Sequence, residues 1–266
     1  MVSYHEIGEA AVRLGGVALM ERFGNVTVRL KSPADLVTDA DLASQKVIAD
    51  FLHDALPGHE VLGEEDSPDQ SHNPLDAEYC WVVDPLDGTT NFAHQVPHFS
   101  VSLALVERGE LRVGSVFDPM RNELFSAARN EGARLNGTPI RTSRVERIED
   151  ALAGIGFPPQ VDERSPDFQA FVRAVSRFQA LRRTGSAALN LAYVAAGRFD
   201  ASWSYSTRIW DMAAGTLLVR EAGGVVGSPS GGPMALRSGR FLASANERLG
   251  REITQLLSTV PQRPDR

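Results

Sequence analysis

The chain has 266 residues, of which 42% are hydrophobic and 23% charged, enough for one large core or two closely packed units. Its 34 acidic residues against 27 Lys and Arg leave a net charge of −7, which argues against a nucleic-acid binder with its basic stripe. No stretch approaches the ~20 consecutive apolar residues of a membrane span, and His5, Glu6, Glu9 and Arg13 interrupt the first twenty positions, so neither a span nor a secretory leader is expected and the location is read as cytoplasmic.

Along the chain, Ile7, Ala10, Ala11, Leu14 and Ala18 recur at helical spacing and stop at Gly24, which predicts an N-terminal helix over His5 to Phe23. Val26 to Leu30 is a short strand. Asp39 stands at the head of a second helical pattern that closes at Pro57-Gly58. Two apolar runs follow, Val61-Leu62 and Cys80 to Val83, each ending directly in carboxylates. The single cysteine, Cys80, lies in the second run, reads as a small core residue and permits no intrachain disulfide.

Ser100 to Val106, Leu111 to Phe117 and Glu123 to Ala128 read as strands joined by turns at Arg108-Gly109 and Asp118-Pro119, with another tight turn at Asn136-Gly137. Together they predict an antiparallel meander. Beyond about residue 145 strands and helices alternate: strand 151 to 155, helix 168 to 178, strand 180 to 183, helix 187 to 196, strand 199 to 203, helix 212 to 222, strand 241 to 244 and helix 249 to 257. The fold class is therefore α/β, an α+β half over 1–145 carrying most of the acids of interest and an α/β half over 146–266 contributing Asp211. The Gly, Pro and Ser between Gly227 and Gly239 read as a loop.

Three acidic segments stand at element ends. In Trp81-Val82-Val83-Asp84-Pro85-Leu86-Asp87-Gly88-Thr89-Thr90-Asn91-Phe92 an apolar strand delivers Asp84, Pro85 fixes a turn, and Asp87 follows three residues on, so both carboxylates can converge. Two carboxylates and a backbone carbonyl are hard oxygen donors of the kind Mg²⁺ prefers, and a short helix starting at Gly88-Thr89-Thr90 would offer amides to a phosphate. A plain Asp-Pro-x-Asp-Gly turn is the simpler alternative. Gly63-Glu64-Glu65 ends another apolar run, and Trp210-Asp211-Met212-Ala213-Ala214-Gly215 places an acid at the start of a helix. Taken singly, these two read as solvated surface and as a helix cap. If the ligand is a phosphate, an acidic protein must overcome its own charge at the site, and divalent cations are the obvious means.

These segments, in this order, resemble the inositol monophosphatase family of lithium-sensitive, magnesium-dependent phosphatases, whose members show Gly-Glu-Glu, then Trp-x-x-Asp-Pro-x-Asp-Gly-Thr-x-Asn-Phe, then Trp-Asp-x-x-Ala-Gly. Arg183 to Asn190 and Glu221-Ala222-Gly223-Gly224 look like its bacterial branch. The resemblance implies a layered α-β-α-β-α sandwich, a homodimer and hydrolysis of a small phosphorylated metabolite such as inositol 1-phosphate. It also implies two or three Mg²⁺: the first on Glu64, Asp84 and the Leu86 carbonyl, the second on Asp84, Asp87 and Asp211, and a weaker third helped by Glu64. Thr89, Asp41 and Glu65 take the catalytic role, with Asp41 and Thr89 orienting the attacking water. Gly88, Thr89, Ser186, Ala187 and Ser204 line the substrate. Lys31 to Thr38 matches a mobile family loop.

Ser204 departs from the pattern. Seven residues before the metal-binding Asp many inositol phosphatases carry a Glu that bonds a substrate hydroxyl, so here that contact is expected to be missing or bridged by water, with broad activity on small phosphates as the result. Histidinol phosphate, fructose 1,6-bisphosphate or a nucleotide phosphate are alternative substrates, and a regulatory binding protein that kept the fold is the alternative of another class. His94 and His98 read as loop residues, Trp203 and Trp210 as core and wall. Arg182-Arg183 reads as a substrate contact, a partner contact or a surface pair.

Overall fold

Each half of the chain builds a sheet whose strands alternate between two buried faces. The computed structural model describes residues 2–32, 35–66, 73–158, 160–258 and 260. Helix α1 (Tyr4–Met20) opens on a capping box between Ser3 and Glu6 and buries Ile7, Ala11, Val12 and Leu19. Strands β1 (Val28–Ser32) and β2 (Asp35–Thr38) form an antiparallel pair, of which only β1 was legible in the sequence. Pro33 and Ala34 of the family-loop match, and the side chains of Lys31, Ser32 and Asp35, lie outside the described residues.

Helix α2 (Asp39–Ala55) is capped by Thr38 rather than Asp39. The Thr38 hydroxyl accepts from Ala40 N, and the side chain of Asp41, third in the helix, accepts in return from Thr38 N. Strands β3 (Glu60–Gly63) and β4 (Tyr79–Asp87) follow, then the one-turn helix α3 (Thr89–Ala93). The predicted meander is present as β5 (Ser100–Glu107), β6 (Glu110–Asp118) and β7 (Glu123–Ala128), extended by short β8 (Ala133–Leu135) and β9 (Thr138–Pro139) around the Asn136-Gly137 turn. Both turn residues have positive φ, 48° and 79°, the signature of a tight hairpin. The seven strands lie in chain order, β3 parallel to β4 and every other pair antiparallel.

The second half comprises β10 (Leu152–Ile155), α4 (Pro166–Ala174), β11 (Ala180–Arg183), α5 (Ala187–Ala195), β12 (Ala201–Ser204), α6 (Ile209–Glu221), β13 (Val225–Gly227), β14 (Phe241–Ser244) and α7 (Glu247–Leu257). Its sheet runs β11-β10-β12-β14-β13, parallel on the β11 side and antiparallel on the β13 side. The missed strand β13 has only three residues and borders the Gly-rich loop.

The period-two alternation of β4 shows how the layers arise. Trp81 and Val83 pack with Ile7, Ala11, Ile48 and Leu52 of α1 and α2, while Cys80 and Val82 pack with α5 and α6 on the opposite face. Ala243 and Phe241 of β14 join that α5-α6 layer, whereas Leu242, Ala153 and Trp203 pack against α4 and α7. The order is therefore helix, sheet, helix, sheet, helix, the expected five-layer sandwich. Fully burying one such side chain contributes roughly 1.5–3 kcal/mol, and the middle layer draws on both halves, so they share one core. Among the described residues no helix is long and apolar enough to cross a membrane.

Candidate metal and phosphate site

The site begins with an irregularity at the end of β4. Asp84 pairs opposite Ser102 and Asp87 opposite Ser100, three steps on β4 against two on β5, so one residue is extra and the strand bulges. Pro85, lacking an N–H, suits such a bulge. Its carbonyl is fixed by the Ser44 hydroxyl at 2.9 Å, and Leu86 N donates to Asp84 Oδ1 at 3.0 Å. The Leu86 carbonyl accepts from the Thr89 hydroxyl at 3.1 Å.

Glu64 follows β3, and its N–H donates to the Val83 carbonyl at 3.1 Å, which continues the β3-β4 ladder one residue and brings Glu64 beside Asp84. Asp211 is the third residue of α6 and accepts from Arg208 N at 2.7 Å. The Ser102 hydroxyl donates to the Trp210 carbonyl at 3.1 Å, fastening the head of α6 to the strand that pairs with Asp84. Asp87 accepts from the Ser186 hydroxyl (2.5 Å), Ala187 N (3.1 Å) and Ala188 N (2.7 Å), all at the N-terminus of α5.

Gathering these acids has an electrostatic cost. Burial, then the charges of Glu64, Asp87 and Asp211, push the Asp84 carboxyl well above the usual range. Asp211 rises to about 8, chiefly by burial of its carboxyl and then by the Asp87 charge, and it shares a hydrogen bond with Asp84. Asp87 rises to about 6 by burial, held from going further by its α5 donors.

A fifth acid stands next to this group. Asp41, 1% exposed, takes Thr38 N at 2.8 Å and the Thr38 hydroxyl at 2.5 Å on one oxygen, and the Thr89 hydroxyl at 3.3 Å on the other. Burial lifts it to about 6 against the Thr38 bonds, with the Glu65 charge adding to the rise. Glu65 itself is positioned by its N–H, which donates to Gln45 Oε1 at 3.0 Å.

Asp87, Gly88, Thr89, Ser186, Ala187, Ser204 and Asp211 all line one cavity of about 400 Å³. Gly88 must be glycine there: its φ is 102°, and a Cβ would sit 3.2 Å from the His98 carbonyl. Glu64, Asp84, Leu86, Asp41 and Glu65 do not line this cavity. Ser186 and Ala187 already give their donors to Asp87, so a ligand at that wall must share or displace these bonds. Ser204 is 2% exposed and bonded to Asp167 of α4, a carboxylate that the sequence reading missed. Thr38, Asn91 and Ser206 were missed as well. The Asn91 amide ties the His98 and Thr184 carbonyls together at 2.7 and 2.8 Å, clamping the α3 turn onto the strand-to-helix turn before α5. His94 is exposed, His98 stays outside the cavity, and Arg183 borders it while stacking over Phe157 at 5.2 Å.

Among the described residues no three His, Cys, Asp or Glu side chains are drawn into a closed coordination cage, Asp87 having turned its oxygens to α5. The donor set is nevertheless oxygen throughout, and the charges of Glu64, Asp87 and Asp211 bear on the buried Asp84, a balance that hard divalent cations relieve. In donor type and charge the residues fit Mg²⁺.

Comparison with known proteins gives a consistent picture. The model of the inositol monophosphatase family matches residues 2–262. The "Nus factor SuhB" of Pseudomonas aeruginosa is 42% identical over 245 residues, covering 91% of this chain and 90% of its own. The "Inositol-1-monophosphatase" of Rhizobium meliloti is 41% identical over 258 residues, 96% of this chain and 94% of its own. The crystal structure of the extragenic suppressor protein suhB from Bartonella henselae superposes with a TM-score of 0.88 at 38% identity, over 95% of this chain and 97% of that one.

Proposed function

Because the chain belongs to the inositol monophosphatase family, we propose that it hydrolyses the phosphate monoester of a small polyol, inositol 1-phosphate first among them, with Mg²⁺ held by Glu64, Asp84, the Leu86 carbonyl, Asp87 and Asp211. The observation that carries this reading is the mutual repulsion of Asp84, Asp211, Asp87 and Glu64 beside a cavity. Bound Mg²⁺ would supply a more acidic water and neutralise charge on the phosphoryl group. The chain's own residues supply placement. The Thr89 hydroxyl has one proton, divided between Asp41 Oδ1 and the Leu86 carbonyl. Were the Leu86 carbonyl to hold a cation, the Thr89 proton would be left to Asp41 and the Thr89 lone pairs would be free to orient a water. Thr38 keeps Asp41 aimed, and Gly88 and Thr89 border the phosphate. The cytoplasmic location and a homodimer belong to the same proposal.

The relative described as a Nus factor supports a second reading, a binding protein of this fold. The complete acid set favours the enzyme. Phosphate release from inositol 1-phosphate, glycerol phosphate, fructose 1,6-bisphosphate and p-nitrophenyl phosphate, with Mg²⁺, with chelator and with added Li⁺, tests it. Mg²⁺-dependent release that millimolar-scale Li⁺ suppresses is expected; release from none of them shifts the assignment to the binding protein.

A further inference from the structure

Ser204 stands where a carboxylate was expected, yet a carboxylate reaches this wall from another element. Asp167 lies in the first turn of α4 and is 3% exposed. It accepts from the Ser204 hydroxyl at 3.3 Å and Tyr205 N at 2.9 Å on one oxygen, and from the Ser206 hydroxyl at 2.8 Å on the other. Ser204 and Ser206 line the cavity of the metal site. Asp167 lies behind them, bordering a neighbouring cavity of about 630 Å³ that shares Pro158, Ser206 and Thr207 with the first.

Proton accounting assigns a role to this arrangement. A serine hydroxyl has one proton and two lone pairs. Both serines spend the proton on Asp167, and Ser204 Oγ spends one lone pair on Ser206 N at 3.2 Å. What remains for a ligand is acceptor capacity, greatest on Ser206, the exposed member of the pair. A serine whose proton is held by an anion is also a better acceptor than a free one, because hydrogen bonds in a chain polarise each other.

We propose that Asp167 is the specificity-determining carboxylate of this protein, acting as a positioning residue through Ser206 and Ser204, which accept hydrogen bonds from hydroxyls on the organic half of the substrate. The proposal rests on the phosphatase reading. It replaces the expectation that the contact at Ser204 is missing or bridged by water: Ser204→Glu would set a second anion against Asp167 in a buried place, and should not strengthen polyol recognition unless Asp167 is neutralised as well.

The test compares kcat/KM for inositol 1-phosphate with that for p-nitrophenyl phosphate, which has no hydroxyl to recognise. In Ser206→Ala the loss with inositol 1-phosphate should exceed the loss with p-nitrophenyl phosphate about tenfold, carried by KM, and Ser206→Thr should recover most of it. Asp167→Asn should shift the ratio in the same direction, and Ser206→Ala keeps the test open if the Asp167 variant does not fold. An unchanged ratio in Ser206→Ala overturns the proposal. If the wild type hydrolyses neither compound, the phosphatase reading fails on its own. Calorimetric binding of inositol 1-phosphate then decides the wall: about tenfold weaker binding by Ser206→Ala supports it, and equal binding overturns it.

Discussion

The Ser186 hydroxyl donates to Asp87 Oδ2 at 2.5 Å, so the end of β4 and the N-terminus of α5, 99 residues apart in sequence, are held by one side-chain pair. Ser186 also caps α5 through Leu189 N at 3.2 Å. Ser186→Ala should therefore cost about 1–2 kcal/mol in stability and lower phosphatase turnover about tenfold by freeing Asp87. Thermal melts and steady-state kinetics check both, and Ser186→Thr should recover most of each. Full turnover in the alanine variant would mean that the two helix amides suffice to hold Asp87.

Asp84 is the most burdened acid of the group, and Asp84→Asn should separate stability from activity. Removing its charge relieves repulsion from Glu64, Asp87 and Asp211, so in chelator the variant should melt at a higher temperature than wild type. With Mg²⁺ present it should lose at least about 10²-fold in turnover, because the acid proposed to serve two cations is gone. A variant that melts lower in chelator would show that Asp84 is held by its hydrogen bonds more strongly than it is repelled.

Thr89→Ala removes the hydroxyl between Asp41 and the Leu86 carbonyl and leaves the α3 turn in place. Turnover should fall roughly 10²- to 10⁴-fold with KM little changed, as for a group used chiefly in the transition state. A raised KM with turnover intact would reduce Thr89 to a phosphate contact.

The raised carboxyls also fix the sign of a pH effect. Asp41 and Asp87 near 6 and Asp211 near 8 bind protons more tightly in the folded chain than in the unfolded one. Between the ordinary carboxylate range and those values the native state holds more protons on these acids, so their contribution to stability is greatest at low pH and is lost as pH rises through 6 to 8. In chelator the melting temperature should fall from pH 5 to pH 8, and Mg²⁺ should raise it far more at pH 8 than at pH 5. Equal shifts at both pH values would show that these acids are not where the cation acts.

Most of the architecture could be read from apolar runs and punctuation, because β4 to β7 are mainly apolar segments of strand length and turns such as Asn136-Gly137 announce themselves. The strands β8, β9 and β13 escaped, since two or three residues carry no periodicity, and so did β2, in which only Leu36-Val37 are apolar. Among candidate site residues, Glu64, Asp84 and Asp87 stand out in the sequence because each closes an apolar run, and Asp211 because it opens a helix. Asp167 was not: Ser165-Pro166-Asp167 has the form of an ordinary helix start, and only the tertiary fold brings it to Ser206. The cap of α2 was misplaced by one residue because Thr38 and Asp39 are both good caps, and the reciprocal bond from Thr38 N to Asp41 decides between them.

The fastening of α6 to β5 through Ser102 and Trp210 spans 108 residues, and Asp211 is the next residue in the chain. A nascent chain therefore emerges with Glu64, Asp84 and Asp87 long before Asp211 exists to complete the set. Loop-closure entropy makes such a remote contact one of the last to form. The proposed cation site would thus be complete only late in folding. A cation held at the proposed site would therefore be expected to slow unfolding more than it speeds folding.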